Sequence, residues 1–371
     1  MFIYLFIGTI IFFYWIFNIP YIGRFNSKKY YLTTLNEFFL RCLYCILLII
    51  AVTRGVEVGT DYTLYYNFFY NKLFNENFDT FVIWIYSVAH HFEEFRIFTL
   101  ITSFLFLFIF YLIQKNYSYD KVTFTTLFVI SYLYYFSFNG IRQALAMGFL
   151  WLGIMILRSN KVKSYIYFLL FVFVAAQFHI SAYLGVFFVF INKINLRINY
   201  IWFGFIFTSI GYFTPILKER ISTLLMNFDF YVNKYSNNLE FFFESSKEKG
   251  IIEYMPVVIQ FSFFILWMII KHRKQLQGTN IIENYYFIYL LLYSAAGIEA
   301  VDRFQVYFYP SIIFFYDMFI FHVLKHFVKT KREVFIGYII AISIMLFWFS
   351  YYILRIVQNT NGIVPFSTWD L

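Results

Sequence analysis

Long apolar runs alternate with short polar stretches along the whole chain. Twelve such runs fall at about residues 2–19, 38–53, 95–113, 121–138, 141–157, 163–178, 179–191, 199–214, 251–270, 284–298, 304–324 and 334–355. A full bilayer crossing takes about 20 apolar residues, so each run predicts a membrane helix. Several are short, 179–191 above all, which leaves room for one or two to be re-entrant. The stretch 78–92 is apolar but short and predicts a helix lying in, or dipping into, the outer interface. One long segment, about 215–250, spaces Ile221, Leu224, Leu225, Phe228 and Val232 as an amphipathic helix does. There is no internal repeat and no Pro/Ser-rich linker. The pattern therefore predicts an all-α fold: a polytopic transmembrane helical bundle of about 12 spans, with one amphipathic extracytoplasmic loop helix, forming a single integral membrane domain over 1–371.

Composition excludes a soluble globular domain. Hydrophobic residues make up 61% of the 371 and charged residues only 13%, against about 25% in ordinary soluble domains. The chain is hydrophobic from Phe2, with no basic stretch before it, so the first run reads as a retained span rather than a cleaved signal peptide. The two cysteines, Cys42 and Cys45, lie within an apolar run. They form no external disulfide framework and lack partner ligands for a metal, so they read as inert thiols.

Charge sets the expected orientation. With the N-terminus outside, 18 of the 29 basic residues fall on the inner side, but only five of the 20 acids. Cytoplasmic loops carry such a Lys/Arg excess. Twelve spans then place both termini outside. The net charge of +9 is dispersed between hydrophobic runs, which marks topology rather than nucleic-acid binding.

Four polar clusters fall at the same expected outer face. The first is Arg54-Gly55-Val56-Glu57-Val58-Gly59-Thr60-Asp61-Tyr62, followed by Tyr65 and Tyr66. Its glycines suit a sharp turn and close approach to a ligand. An Arg54–Asp61 pair tying the loop to the bundle is the plainer reading. The second is Asn139-Gly140-Ile141-Arg142-Gln143. A cation in the first turn of a helix opposes the helix dipole, so Arg142 is better explained by a bound anion than by local structure; snorkelling to lipid phosphate is the alternative. The third is Gln177-Phe178-His179 with Ser181, where His179 is either a packed, hydrogen-bonded residue or a base. The fourth is Glu299, Asp302 and Arg303, where Glu299 and Arg303 are spaced for a local i, i+4 pair. Three clusters contribute an arginine outside. Together they suit a ligand with two or more phosphates and a hydroxyl-rich part, because guanidiniums bind phosphate oxygens in a forked geometry.

Other candidates are weaker. His90 and His91, next to Glu93 and Glu94, suggest a metal only faintly, since adjacent histidines point apart on a helix. His322 and His326 share a helix face beside Lys325 and read as a basic patch. Asp317 lies within a span and is expected to pair internally unless the span is tilted. No P-loop, GxGxxG, HExxH or GxSxG occurs, so nothing points to ATP or a dinucleotide.

RGVEVGTDYTLYY at 54–66, FSFNGIRQALAMGFLWLGIMIL at 136–157 and AAQFHISAY at 175–183 resemble the EpsG-type exopolysaccharide polymerases, relatives of the Wzy-type O-antigen and capsule polymerases. The late Asp302-Arg303 pair and the ending with Pro365-Phe366 are also similar. The resemblance covers roughly 50–360. It implies a metal-independent glycosyltransferase of the bacterial plasma (inner) membrane, without cofactor. Such an enzyme joins polyprenyl-diphosphate-linked oligosaccharide repeat units on the outer face and releases polyprenyl diphosphate. Its partners would be the lipid-linked oligosaccharide, membrane lipid, and a chain-length regulator and flippase of the same pathway, with no nucleic acid. On this reading Arg54 and Arg142 clamp the diphosphate, with Arg303 a further candidate and Gln143, Asp302 and Tyr62 also binding substrate. His179, Asp61 or Glu299 takes the proton of the attacking hydroxyl. Tyr62, Tyr65 and Tyr66 suit stacking on sugar rings, or membership of an interfacial aromatic belt. A flippase for the same lipid is the rival class, but it calls for mid-membrane cations and often two related halves. A ligase acting on the same donor would look alike. A membrane acyltransferase would want a histidine deep on the cytoplasmic side.

Overall fold

The computed structural model describes residues 1–21, 29–71, 79–158, 161–226, 250–276, 280–327 and 330–368. These are predominantly helical and form two compact units, Met1–Val186 with Tyr316–Leu371, and Phe187–Phe315. Each of the twelve apolar runs holds helix. Among the described residues five helices, fewer than the twelve expected spans, are long and apolar enough to cross a bilayer: Leu35–Thr53, Phe95–Tyr117, Ile251–Lys274, Glu299–His326 and Lys331–Val357. The remaining apolar helices are shorter, among them Phe2–Asn18, Lys121–Ile130, Ile141–Leu157 and Val162–Ala176. The amphipathic helix expected near 218–235 is seen in its first part, within Pro215–Met226; its remainder lies outside the described residues, as do Arg24, Lys28, Lys234, Lys247 and Lys249 of the charge pattern.

In the first unit the chain runs through α1 (Phe2–Asn18), α2 (Lys29–Thr53), α3 (Tyr62–Tyr70), α4 (Thr80–His91), α5 (Phe95–Tyr117), α6 (Lys121–Ile130), α7 (Leu133–Phe136), α8 (Ile141–Leu157) and α9 (Val162–Ala176). The helix α4 stands where the short apolar stretch 78–92 predicted one. Burial separates core helices from peripheral ones. In α8, 13 of 17 residues are buried, as expected of a helix apolar all round. By contrast, α1 buries Tyr4, Ile7, Ile11 and Trp15 and exposes Phe2, Phe6, Phe13 and Phe17. Its outer face is as apolar as its inner one, which lipid accepts and water does not. The protein is membrane-embedded on this ground.

Two features depart from uninterrupted spans. The run 121–138 breaks at Tyr132, whose φ of 75° is left-handed. A bulky residue adopts that conformation at a cost of about 1–2 kcal/mol. Ring contacts hold it there: Tyr132 packs on Tyr135, and the Arg355 guanidinium lies 5.6 Å from its ring. Its hydroxyl also donates to the Thr360 carbonyl. The second feature is Asp317, fully buried, whose carboxylate accepts the backbone N–H groups of Tyr119 (2.7 Å) and Asp120 (3.0 Å). It pairs internally, as expected, and fastens the turn between α5 and α6.

The second unit holds α10 (Phe188–Ile191), α11 (Ile198–Phe213), α12 (Pro215–Met226), α13 (Ile251–Lys274), α14 (Asn280–Leu291) and α15 (Glu299–Gln305). Helix α16 (Pro310–His326) begins in it and ends in the first unit, which α17 (Lys331–Val357) completes. Buried Glu283 on α14 is satisfied by α13, accepting from Trp267 Nε1 (2.7 Å) and Lys271 Nζ (2.6 Å).

Candidate functional site

The loop 54–62 is built against the C-terminal segment. Gly55 N donates to Ser367 O (2.7 Å), Gly59 N to Gly362 O (2.9 Å) and Thr60 N to Asn361 O (3.2 Å). Gly59 has φ +109°, and a Cβ on Gly55 would lie 2.4 Å from Ser367 Oγ. The glycines therefore serve a turn and a close approach, but the approaching group is the chain's own C-terminal loop. Phe366 continues this contact by meeting Tyr4 edge-on at 5.6 Å. Asn139 ties three stretches together. Its Nδ2 donates to Thr60 Oγ1 and Asn361 O (2.9 Å each), and its Oδ1 accepts from Asp61 N at 3.4 Å.

Arg54 is buried at 1% exposure beneath this knot. Its guanidinium is sandwiched, 4.0 Å from the Tyr62 ring centroid and 4.3 Å from that of Phe138. Burial pulls its pKa down from the ordinary value, though a guanidinium remains charged at neutral pH. In this conformation Arg54 faces rings rather than solvent and forms no ion pair with Asp61, which is exposed. Tyr62 is likewise interior, its hydroxyl 2.6 Å from Thr99 Oγ1. Tyr66 is half-buried against Tyr70 and Phe95.

Arg142 is differently placed. It is the second residue of α8, next to the loop that Asn139 anchors, and its side chain is 26% exposed. Its Nε donates to Tyr65 Oη (3.3 Å) and its Nη1 pairs with Asp79 Oδ2 (3.2 Å). Burial raises the Tyr65 pKa, and Arg142 opposes that shift. The other oxygen of Asp79 accepts the Ile180 N–H (3.2 Å), and Phe81 N donates back to Gln177 O (3.1 Å). These two bonds dock the start of α4 on the turn 177–180. Phe178 fixes that turn by packing on Phe81 and Phe149, each at 5.3 Å. His179 follows, 9% exposed, with Nδ1 2.6 Å from Ser181 Oγ. Gln143 is buried on α8.

The second and third clusters therefore meet through Asp79, a residue the sequence pattern does not single out. An aspartate just before an apolar helix reads as an ordinary N-cap. Asp61 joins the same neighbourhood through Asn139 and its influence on Tyr65. Glu299, Asp302 and Arg303 belong to the second unit. There Arg303 Nε pairs with Glu299 Oε1 at 2.7 Å, as the i, i+4 spacing predicts, and the Asp302 carboxylate accepts the Gly297 N–H at 3.1 Å. Elsewhere, His90 stacks on Phe69 (4.1 Å) and His322 on His326 (5.6 Å).

A family model matches residues 37–368, nearly the whole chain. The chain belongs to the EpsG family. Membership gives this EpsG-family protein a polysaccharide polymerase-like role, with glycosyltransferase-like activity. Comparison with curated proteins and with solved structures gave no match. In this EpsG-family chain the candidate site in the first unit brings together Arg142, Asp79 and Tyr65, with His179 and Ser181 on the adjoining turn and Asp61 nearby.

Proposed function

We propose that this protein polymerises polyprenyl-diphosphate-linked oligosaccharide repeat units at the outer face of the bacterial plasma membrane, with both chain termini on that side. One observation carries the reading. Arg142 stands partly open at the first turn of a largely buried helix, one carboxylate away from the turn that bears His179. Opposing the helix dipole, it gains most from an anionic ligand. A diphosphate leaving group develops charge as the sugar–phosphate bond breaks, and a fixed guanidinium stabilises that charge. The acceptor hydroxyl attacks the anomeric carbon and gives its proton to His179 or Asp61.

Arg54 is assigned a supporting part: from its aromatic sandwich it keeps the 54–62 loop, and so Asn139, in register with Arg142. Gln143 and Tyr62 act from the interior, and Tyr65 positions the Arg142 fork. The sequence charge asymmetry supports the outward placement. The test is the surface glycan of a strain deleted for this gene. Single repeat units on the carrier lipid support the reading. Full-length glycan stalled on carrier lipid would indicate a ligase, and intermediates trapped on the inner leaflet a flippase.

A further inference from the structure

We propose that Asp79 is the resident anion of the Arg142 site: it holds the guanidinium in place while the site is empty and yields it when a diphosphate enters. This rests on the diphosphate reading above. Asp79 occupies the N-cap position of α4 with extended geometry (φ −73°, ψ 152°), yet its side chain makes no capping bond. An aspartate there ordinarily turns back onto the first-turn amides of its own helix and contributes about 1 kcal/mol. Here the Phe81 amide is satisfied by Gln177 O instead, and both carboxylate oxygens are directed outside the helix. One meets Arg142 Nη1 at 3.2 Å and the other the Ile180 N–H at 3.2 Å. A guanidinium and a backbone N–H, with the Tyr65 hydroxyl on the same guanidinium, form the donor set that binds a phosphoryl group. The two oxygens of Asp79 occupy the places of two phosphate oxygens.

The arrangement also explains why an Arg so close to the apolar core tolerates an empty site. A partly buried cation without a counter-charge is costly. Asp79, itself only 12% exposed, supplies that charge between turnovers. A diphosphate carries more charge than one carboxylate, so the exchange favours the substrate.

The test uses the purified full-length protein and farnesyl diphosphate as probe, with farnesol as control. Asp79→Asn keeps an oxygen for the Ile180 N–H but removes the charge opposite Arg142. Farnesyl diphosphate should bind Asp79→Asn on the order of threefold to tenfold more tightly than wild type, with farnesol unaffected. In an Arg142→Gln background the same change should have no effect, because the coupling is pairwise. Unchanged or weaker binding by a folded Asp79→Asn overturns the inference. Should that variant fail to fold, carbodiimide labelling of wild-type carboxylates decides. Labelling of Asp79 should rise when farnesyl diphosphate is added and stay level with farnesol; a level or falling signal overturns it. If wild type shows no preference for farnesyl diphosphate over farnesol, the diphosphate reading itself fails. If wild type has that preference but Asp79 is silent in both assays, only the inference about Asp79 fails.

Discussion

Gly59 is the position where a single methyl group tests the architecture of the site. Its φ of +109° lies where L-residues are strained, and a Cβ there would stand 2.8 Å from Asn139 Oδ1 and 3.0 Å from the Phe138 carbonyl oxygen. The backbone strain alone costs on the order of 1–3 kcal/mol. The overlap adds about 1–3 kcal/mol, because Phe138 is main chain and cannot move cheaply. Asn139 can yield only by loosening its bonds to Thr60, Asn361 and Asp61. Gly59→Ala should therefore cost roughly 2–6 kcal/mol. At about 2–4 °C per kcal/mol for a large chain, its apparent unfolding midpoint in detergent should fall by several degrees. Because Asn139 is three residues from Arg142, polymer yield should fall too. Gly250→Ala is the control: nothing lies within 4 Å of its Cβ position, and as the loss of a glycine N-cap its effect should stay at or below about 1 kcal/mol. A Gly59→Ala protein with the wild-type midpoint and normal polymer would refute the reasoning.

Three further outcomes follow from the same geometry. Asp317→Ala strands two backbone N–H groups, those of Tyr119 and Asp120. It should destabilise by about 2–4 kcal/mol, measured as a lower unfolding midpoint, with Asp317→Asn milder. Phe366→Ala removes the edge-on contact with Tyr4, worth about 0.5–1.5 kcal/mol beyond burial. It should speed hydrogen exchange at the Gly55 and Gly59 amides, whose acceptors are Ser367 and Gly362. Arg54→Lys loses the flat stacking between Tyr62 and Phe138 and should cost about 1–3 kcal/mol in thermal unfolding, with farnesyl diphosphate affinity changed less than by Arg142→Lys.

Helix placement was legible because apolar runs and polar breaks follow from the bilayer, and all twelve runs hold helix. The break at Tyr132 was not: no Gly or Pro marks it, and its supports, Arg355 and Thr360, lie more than 200 residues away. Motif chemistry was legible in part. Arg142 and His179 do fall into one neighbourhood, but the residue joining them hides as an ordinary helix cap. Arg54 looked like a second ligand for phosphate, because sequence shows a charge and not the rings that enclose it. In sequence the glycines of the same motif read as admitting a ligand; what approaches Gly55 is Ser367 of the chain's own C-terminal segment, which composition alone does not connect to it.

The most direct measurement is polymerisation by the purified protein in lipid vesicles supplied with a lipid-linked repeat unit, comparing wild type with Arg142→Ala. Wild type should yield a ladder of chain lengths and release polyprenyl diphosphate. Folded Arg142→Ala should leave the repeat unit unextended. An Arg142→Ala protein that builds the wild-type ladder at the wild-type rate would contradict the account.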